Sequence, residues 1–272
     1  GNEPTFLWVH YMDVHHPYIP PERHQRAFRD EPVSDRVATQ LRRKMLESPA
    51  EITESERQTL IDLYDAEIRF TDAQIDRLID QARTTFDEEP VVLFTADHGE
   101  EFGEHGGYSH NTIHDEGIHV PLVIADGSEP AAHDDLAGLL DISPTVLDYA
   151  GKETPDGYLG HSLRGIIDGE SLPRDGIFGN WGEAKSGERQ FFYRDQDWKF
   201  VRRTDSEELY DLTSTAGEHE DVYDENPEVV TELSTLVDDH AQTVDDTYEV
   251  LSAVELDEEV EQRLEELGYK ER

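Results

Sequence analysis

An acidic residue and a histidine stand side by side directly after an apolar run, at Asp97 and His98. A carboxylate and an imidazole can together bind a hard or borderline divalent cation. Gly99 follows them and would let the chain turn with positive φ or pass close to a ligand. The alternative is a helix cap beside a hydrogen-bonded histidine, and the three residues alone do not separate the two interpretations.

A second candidate site is the segment His15-His16-Pro17-Tyr18, which follows the apolar residues 5–10. A histidine at such a position can donate a hydrogen bond to an anion or protonate a leaving oxygen near neutral pH. A loop histidine with an ordinary hydrogen bond is the alternative. His10 lies within the apolar run itself, and we expect it to pack there.

The third candidate is the stretch 100–121, in which histidines and glycines are dense. Its histidines are His105, His110, His114 and His119. The glycines would let the backbone fold tightly around a ligand. A surface loop that is rich in histidine by chance is the alternative. His114 and His119 flank an acidic turn, so we expect structural roles for both.

Apolar periodicity predicts the elements that carry these segments. Residues 5–10, 91–94 and 120–125 read as strands, and the unbroken apolar runs of the last two favour a sheet that is covered on both faces, as parallel sheets are. Residues 53–85 read as a helix with a possible break near Thr71. Residues 144–150 read as a helix with Ser143 as N-cap and Gly151 at its C-terminal end. Residues 22–52 read as short helix and loop.

The pattern changes after about residue 185. Three short strands are predicted at 190–194, 198–203 and 208–212, followed by helices at 227–241 and 256–267. We therefore divide the chain into an α/β domain, residues 1–184, and a small C-terminal subdomain, residues 185–272. Alternating strands and helices in the first part are typical of α/β proteins.

Composition excludes several classes of partner. The 272 residues contain 23 Lys plus Arg against 64 Asp plus Glu, for a formal net charge of −41. So acidic a chain is not expected to bind nucleic acid or anionic lipid surfaces. No stretch is long and apolar enough for a membrane segment, and the absence of cysteine excludes disulfides and a cysteine nucleophile within this sequence. The scarcity of lysine beside abundant Asp and Glu favours a halophilic protein, whose surface charges are screened by salt.

Several blocks, taken in order, resemble the sulfatase family of the alkaline phosphatase superfamily. The blocks are FLWVHYMDVHHPYIPP (6–21), YDAEIRFTDAQIDRLI (64–79), VVLFTADHGEEFGEHG (91–106), HDEGIHVPLVI (114–124) and DISPTVLDYAG (141–151), with DWKFVRR (197–203) and ELYDLTSTAGE (208–218) in the tail. The resemblance implies an alkaline-phosphatase-like α/β sandwich, in which a largely parallel or mixed central sheet lies between helices. It also implies a small C-terminal subdomain of antiparallel sheet and helices.

The resemblance also implies roles for individual residues. Asp97 and His98 match the metal-ligating pair, with Ca²⁺ as the expected ion and Mn²⁺, Mg²⁺ or Zn²⁺ as alternatives. His15 matches the histidine that contacts the sulfate or the leaving oxygen. His110 stands where many sulfatases have a sulfate-binding lysine, and a histidine there also occurs in relatives that handle phosphate esters. His105 is expected to support the site from behind.

The nucleophile block of sulfatases, Cys-x-Pro-Ser-Arg or Ser-x-Pro-Ser-Arg, is absent from this sequence. We therefore expect a sulfuric ester hydrolase that is incomplete as this chain: a fragment, a truncated reading frame or a degenerate relative. The alternatives are a phosphodiesterase or phosphoethanolamine-type transferase of the same superfamily, or a non-catalytic remnant. Expected partners are a small-molecule or saccharide sulfate ester, and a missing N-terminal segment or a second copy of the chain. A cytoplasmic location is the default expectation.

Overall fold

The computed structural model describes residues 5–86, 88–182 and 189–252. Its backbone divides into two compact units, Gly1–Asp175 and Gly176–Arg272. The predicted domain boundary after residue 184 stays a prediction. None of the helices in the described part of the chain is long and apolar enough to cross a bilayer.

In its described residues, 5–86 and 88–175, the first unit combines six α-helices with two small antiparallel sheets. The helices are α1 (Glu22–Gln25), α2 (Asp35–Glu47), α3 (Glu54–Thr85), α4 (Asp115–Ile118), α5 (Ile142–Tyr149) and α6 (Arg164–Ile167). The strands are β1 (Val92–Thr95), β2 (Glu101–Phe102), β3 (Tyr108–Ser109) and β4 (Leu122–Ala125), and 3₁₀ turns cover Pro49–Glu51 and Leu139–Asp141.

Helix α3 is one unbroken helix, so the possible break near Thr71 is absent. Its start is defined by a capping box, in which Glu56 N–H donates to Thr53 Oγ1 at 3.3 Å and Thr53 N–H donates to the Glu56 carboxylate at 2.8 Å. One side of α3 packs with α2 and β2 in the core of this unit. That core contains Tyr18, Ala38, Leu41, Met45, Leu60, Leu63 and Phe102.

The predicted strand at residues 5–10 is wrong, because this segment has no regular secondary structure. Phe6 and Trp8 are 72% and 76% exposed. A strand needs a neighbour to pair its backbone N–H and C=O groups, and in the described residues no strand lies against this segment. β-prone residues alone therefore do not make it a strand.

The runs at 91–94 and 120–125 do form strands, but they pair with each other. Strands β1 and β4 are antiparallel, with Val92 opposite Ala125 and Thr95 opposite Leu122. Phe94 is 38% exposed and Val123 is exposed as well. The expected parallel neighbours are thus not found among the described residues, and part of this apolar surface is open.

Helix α5 begins at Ile142, two residues before the predicted start. Asp141, and not Ser143, is the residue that precedes it. The fully buried Asp141 carboxylate accepts hydrogen bonds from the backbone N–H groups of Gly138 and His161, each at 2.8 Å, and pairs with Arg174. The predicted role of Gly151 is confirmed, since it follows the helix with φ of 65°.

The second unit is a four-stranded antiparallel sheet covered on one face by a long helix. The elements are β5 (Ile177–Gly182), β6 (Arg189–Arg194), β7 (Trp198–Arg202), β8 (Glu207–Asp211) and α7 (Pro227–Ser252), with 3₁₀ turns at Gly217–His219 and Tyr223–Glu225. Phe191, Phe200 and Leu209 of the sheet pack against Leu233 and Val237 of α7. The three predicted strands are confirmed within one residue at each end, and α7 extends beyond the predicted end at 241.

Strand β5 was not predicted, because its sequence IFGNWG contains two glycines. Gly179 lies opposite Phe192 of β6, and a Cβ on Gly179 would lie 2.3 Å from the Phe192 ring. The absence of a side chain at Gly179 leaves the space that the Phe192 ring occupies next to strand β5. The predicted helix at 256–267 lies outside the described residues.

Glu67 of α3 has a buried carboxyl group, whose ionisation makes the stability of the first unit depend on pH. Its side chain is 5% exposed, and its Oε2 has no hydrogen-bond partner in the described part of the chain. The pKa of Glu67 is raised to about 7: burial is the main cause, a hydrogen bond from the Ile19 N–H opposes the rise, and the nearby Asp13 carboxylate adds to it. Since the unfolded pKa is near 4.5, the folded state is destabilised progressively as pH rises from about 4.5 to about 7.

We predict that Glu67→Gln removes this loss of stability with rising pH. The free energy of unfolding of the variant, relative to the native chain, should rise by about 2 to 3 kcal/mol between pH 4.5 and pH 8. Urea denaturation at constant ionic strength measures the difference, with Glu51→Gln at an exposed position as the control. A difference that is the same at both pH values would contradict the prediction.

Candidate active site

Three separate segments bring imidazoles to one place in the first unit. His15 lies in the loop before α1, His98 follows β1, and His110 follows β3. The ring centroids of His98 and His110 are 4.0 Å apart in a stacked arrangement. Those of His15 and His110 are 5.4 Å apart, and those of His15 and His98 are 6.3 Å apart. The structure therefore brings together three of the four residues proposed for the site from the sequence.

The fourth, Asp97, borders this cluster. Asp97 Oδ1 lies 3.8 Å from Nε2 of His98, and the Asp97 side chain is 63% exposed. A carboxylate oxygen and an imidazole nitrogen are thus available side by side at the end of β1. The assignment of Asp97 and His98 to a metal, and of His15 and His110 to catalysis, stays a prediction.

Backbone carbonyls determine the tautomers of two of the histidines. His15 Nδ1 is 2.8 Å from the carbonyl oxygen of His16, and His98 Nδ1 is 2.9 Å from that of Gly99. A carbonyl oxygen only accepts, so each Nδ1 carries a proton. The other nitrogen of each ring, Nε2, is left free to bind a metal or to exchange a proton, as in histidines that ligate metals.

Gly99 is needed for a close backbone contact, and the expectation of a positive φ is wrong. Its φ is not positive. A Cβ at this position would lie 2.1 Å from the carbonyl oxygen of Glu116. The Gly99 N–H also donates to the carbonyl oxygen of Gly117 at 2.7 Å. The close approach is therefore between two backbone segments, and it holds the chain after His98 against the start of α4.

Glu100 is a buried carboxylate behind the cluster that the sequence did not single out. Its side chain is 2% exposed, its Oε2 accepts a hydrogen bond from Tyr18 Oη at 2.7 Å, and its Oε1 lies 3.7 Å from His110 Nδ1. Burial acts to raise the pKa of Glu100, but the proximity of His110 and the Tyr18 hydroxyl hold the pKa below its ordinary value. Glu100 thus places a negative charge directly behind His110.

Arg42 and Ser109 were also missed as parts of the site, and His16 was included only as a member of the candidate segment 15–18. Arg42 Nε donates to His16 Nδ1 at 3.0 Å. Ser109 Oγ lies 3.4 Å from His16 Nε2 and 3.2 Å from His110 Nδ1. Burial lowers the pKa of His16, and the neighbouring His15 and Arg42 lower it further, while Glu100 acts in the opposite direction. His16 is therefore held neutral.

His105 contacts residues outside the cluster that His15, His98 and His110 form. Its ring stacks on His114 with centroids 3.7 Å apart, and its Nε2 lies 3.1 Å from Glu116 Oε2. His114 directly precedes α4 and His119 directly follows it. The predicted structural roles of His114 and His119, and the supporting role of His105, stay predictions.

The donor atoms fit part of a divalent cation site. Asp97 offers an exposed carboxylate, and His98 offers a free Nε2. Calcium takes six to eight oxygen ligands, so this pair can supply only a fraction of its coordination. The nitrogens of His15, His16 and His110 also lie within 4.8 Å of one another. Because Arg42 donates to His16 Nδ1, the neutral His16 ring carries its proton on Nε2 and has no free nitrogen for a metal. The trio is therefore a poor ligand set.

Comparisons with known proteins identify the family of the chain. The family model for sulfatases matches residues 1–152, and the model for the C-terminal part of N-sulphoglucosamine sulphohydrolase matches residues 103–264. Arylsulfatase K of Danio rerio is 28% identical over 197 residues, which cover 68% of this chain and 38% of that protein. N-acetylglucosamine-6-O-sulfatase of Bacteroides thetaiotaomicron is 27% identical over 182 residues, which cover 59% of this chain and 31% of that protein.

A solved structure shows the same fold. The phosphonate monoester hydrolase of Agrobacterium radiobacter superposes with a TM-score of 0.68 at 22% identity, covering 91% of this chain and 58% of that one. The α/β class with a C-terminal antiparallel sheet is therefore confirmed. This chain belongs to the sulfatase family. It spans less than two fifths of the length of these two curated relatives.

The contact between Tyr18 and Glu100 can be tested by removing one hydroxyl. Tyr18→Phe keeps the ring contacts with Tyr64 and Phe102 but takes away the donor to a buried carboxylate. We expect the free energy of unfolding to fall by about 1.5 to 3 kcal/mol, the usual contribution of a hydrogen bond to a charged group. Urea denaturation followed by tryptophan fluorescence measures it.

Tyr64→Phe is the matched control. Its ring packs on Tyr18 with centroids 5.3 Å apart, and its hydroxyl has no hydrogen bond in the described part of the structure. Equal losses in the two variants would show that the Tyr18 hydroxyl contributes nothing specific.

Proposed function

We propose that this chain carries the metal-binding and leaving-group half of a sulfuric ester hydrolase acting on a small-molecule or saccharide sulfate ester. The observation that carries the proposal is the convergence of His15, His98 and His110 from three distant segments. Membership of the sulfatase family and the names of the relatives, an arylsulfatase and an N-acetylglucosamine-6-O-sulfatase, support it.

His15 is suited to protonating the leaving alcohol. Its Nδ1–H is bonded to a backbone carbonyl, so Nε2 is the nitrogen that gains and loses a proton. The same carbonyl bond can be kept when the ring is protonated, since Nδ1 carries a proton in both forms. Proton donation to the departing oxygen would therefore occur from Nε2 without any rearrangement of the ring.

Asp97 and His98 would hold a divalent cation, with Ca²⁺ as the first candidate. When bound, the cation supplies positive charge that stabilises the anionic ester as its charge develops. His110, stacked on His98, would contact the oxygens of the ester. The nucleophile is not among these residues, because this sequence contains neither form of the sulfatase nucleophile block.

A phosphate or phosphonate ester is the second candidate substrate. It is favoured by one observation, the presence of His110 where the resemblance places a sulfate-binding lysine. Comparing the ring resonances of His15, His98 and His110 on addition of 4-nitrocatechol sulfate and of 4-nitrophenyl phosphate would separate the two anions.

Binding of Ca²⁺ to the pure 272-residue chain tests the metal assignment. Because only two ligands are available, we predict weak binding, with a dissociation constant on the order of 1 mM. NMR titration should shift the His98 ring resonances, and Asp97→Ala should abolish the shift. Asp76→Ala, at an exposed position of α3, is the control and should titrate as the native chain does.

Turnover provides the complementary test. We expect the pure chain to hydrolyse 4-nitrocatechol sulfate at or near the uncatalysed rate. Hydrolysis by the pure chain that Asp97→Ala eliminates would contradict the view that the site is only partial. Full activity that survives Asp97→Ala would contradict the metal assignment instead.

The exposed apolar residues 6–12 suggest a protein partner. Phe6, Leu7, Trp8 and Met12 are each more than half exposed, and contiguous apolar exposure is characteristic of interaction surfaces. We propose that a further polypeptide segment or a second copy of this chain covers them. Sedimentation velocity should show concentration-dependent association that Trp8→Ser weakens, whereas Tyr158→Ser, at another exposed aromatic position, should not. Association that is equal in the native chain and Trp8→Ser would exclude this surface.

A further inference from the structure

We propose that Arg42 sets the tautomer of His110 through two intervening side chains. These are His16 and Ser109, and together the four residues form a hydrogen-bonded relay that keeps a proton on Nε2 of His110. For the proposed function, this means that His110 contacts the ester as a hydrogen-bond donor. Only this consequence rests on the proposed function. Arg42, His16 and Ser109 are positioning residues in this scheme.

The direction of the relay begins at Arg42. A guanidinium has donors and no acceptor, so the 3.0 Å contact between Arg42 Nε and His16 Nδ1 leaves Nδ1 without a proton. The neutral His16 ring must then carry its proton on Nε2. The ring is 92% buried, at 8% exposure, and lies beside the arginine charge, both of which disfavour a second proton.

Ser109 links the tautomer of His16 to the tautomer of His110. His16 Nε2–H points to Ser109 Oγ at 3.4 Å, so the serine oxygen is the acceptor in that contact. The single hydroxyl proton of Ser109 can then donate to His110 Nδ1 at 3.2 Å. In the described residues these two imidazoles are the only hydrogen-bond partners of this buried hydroxyl. His110 Nδ1 is thereby an acceptor, and the proton of the neutral ring lies on Nε2.

The opposite direction fails at one point. If His110 Nδ1 donated to Ser109, the serine oxygen would accept from both imidazoles, and its own buried proton would be left without an acceptor among the described residues. Glu100 Oε1 lies 3.7 Å from His110 Nδ1, too far for an ordinary hydrogen bond.

The backbone at Ser109 is a second, independent observation. Ser109 has φ of 78° and is the one non-glycine residue at positive φ in the described part of the chain. Such strain persists where the surroundings hold a residue in place, and it concentrates at functional sites. Glycine would adopt this conformation at no steric cost, but glycine has no hydroxyl to link the two imidazoles.

Histidine NMR of the full 272-residue chain tests the relay directly. In two-bond ¹H–¹⁵N spectra at pH 8, protonated and unprotonated ring nitrogens are well separated, and His16→Gln and His110→Gln assign the two rings. We expect both rings to show protonated Nε2 and unprotonated Nδ1. Arg42→Met and Ser109→Gly should each shift His110 toward the Nδ1–H tautomer, because Glu100 then attracts the proton.

Two further variants serve as controls. Arg42→Lys retains a donor and should retain the native tautomer of His110. Arg43→Met, at an exposed position one residue further along α2, should change nothing. Ser109→Gly fits the local backbone, so it keeps the test available should Arg42→Met fail to fold.

Two results would overturn the relay: a native His110 with its proton on Nδ1, or a His110 tautomer that is unchanged in Ser109→Gly. Since no ester or metal enters these spectra, they are independent of the hydrolase assignment. A chain that shows the relay but never binds a sulfate ester would refute the proposed function alone.

Discussion

The buried carboxylate of Glu100 is the interaction on which the candidate site depends. Glu100 follows Asp97, His98 and Gly99 in the sequence, so it is anchored to the end of β1. Its two oxygens face Tyr18, from the loop that carries His15, and His110, from the segment after β3. One side chain thus ties all three segments of the cluster together. An ionised group with 2% exposure is tolerated only because a hydrogen bond and nearby imidazoles compensate for its desolvation.

The backbone contributes equally to the precision of the site. The carbonyls of His16 and Gly99 direct the Nε2 atoms of His15 and His98, while Gly99 itself lies against the chain at Glu116 and Gly117. Hydrogen bonds between main-chain groups and imidazoles need no additional side chains to maintain them. A cluster oriented in this way can present three rings at fixed positions even though two of its supporting strands, β2 and β3, are only two residues long.

The sequence identified the residues of this site better than it identified the elements around them. Asp97, His98 and His15 stand out because they follow apolar runs, and His110 stands out because it lies in a stretch dense in histidine. Glu100 and Arg42 do not stand out, because 64 acidic residues and a weakly patterned segment conceal them. Likewise, residues 5–10 have the composition of a strand, but strand formation depends on a pairing neighbour that local sequence does not reveal. Strand β5 was missed because its glycines are not typical of a strand. Gly179 is required there by packing against the Phe192 ring of β6, which local sequence does not reveal either.

The net charge of −41 places a further constraint on how such a site can work. A sulfate ester approaching this surface is repelled at long range, because the surrounding carboxylates share its sign. At about 1 M salt the Debye length falls to roughly 3 Å, so that repulsion is lost while contacts within the site remain. Under the proposed function, attraction would then come from groups that touch the anion: a cation held by Asp97 and His98, and donor nitrogens on His15 and His110. A dense cluster of imidazoles on an otherwise acidic chain would in this way let contacts at short range outweigh the repulsion from the whole molecule.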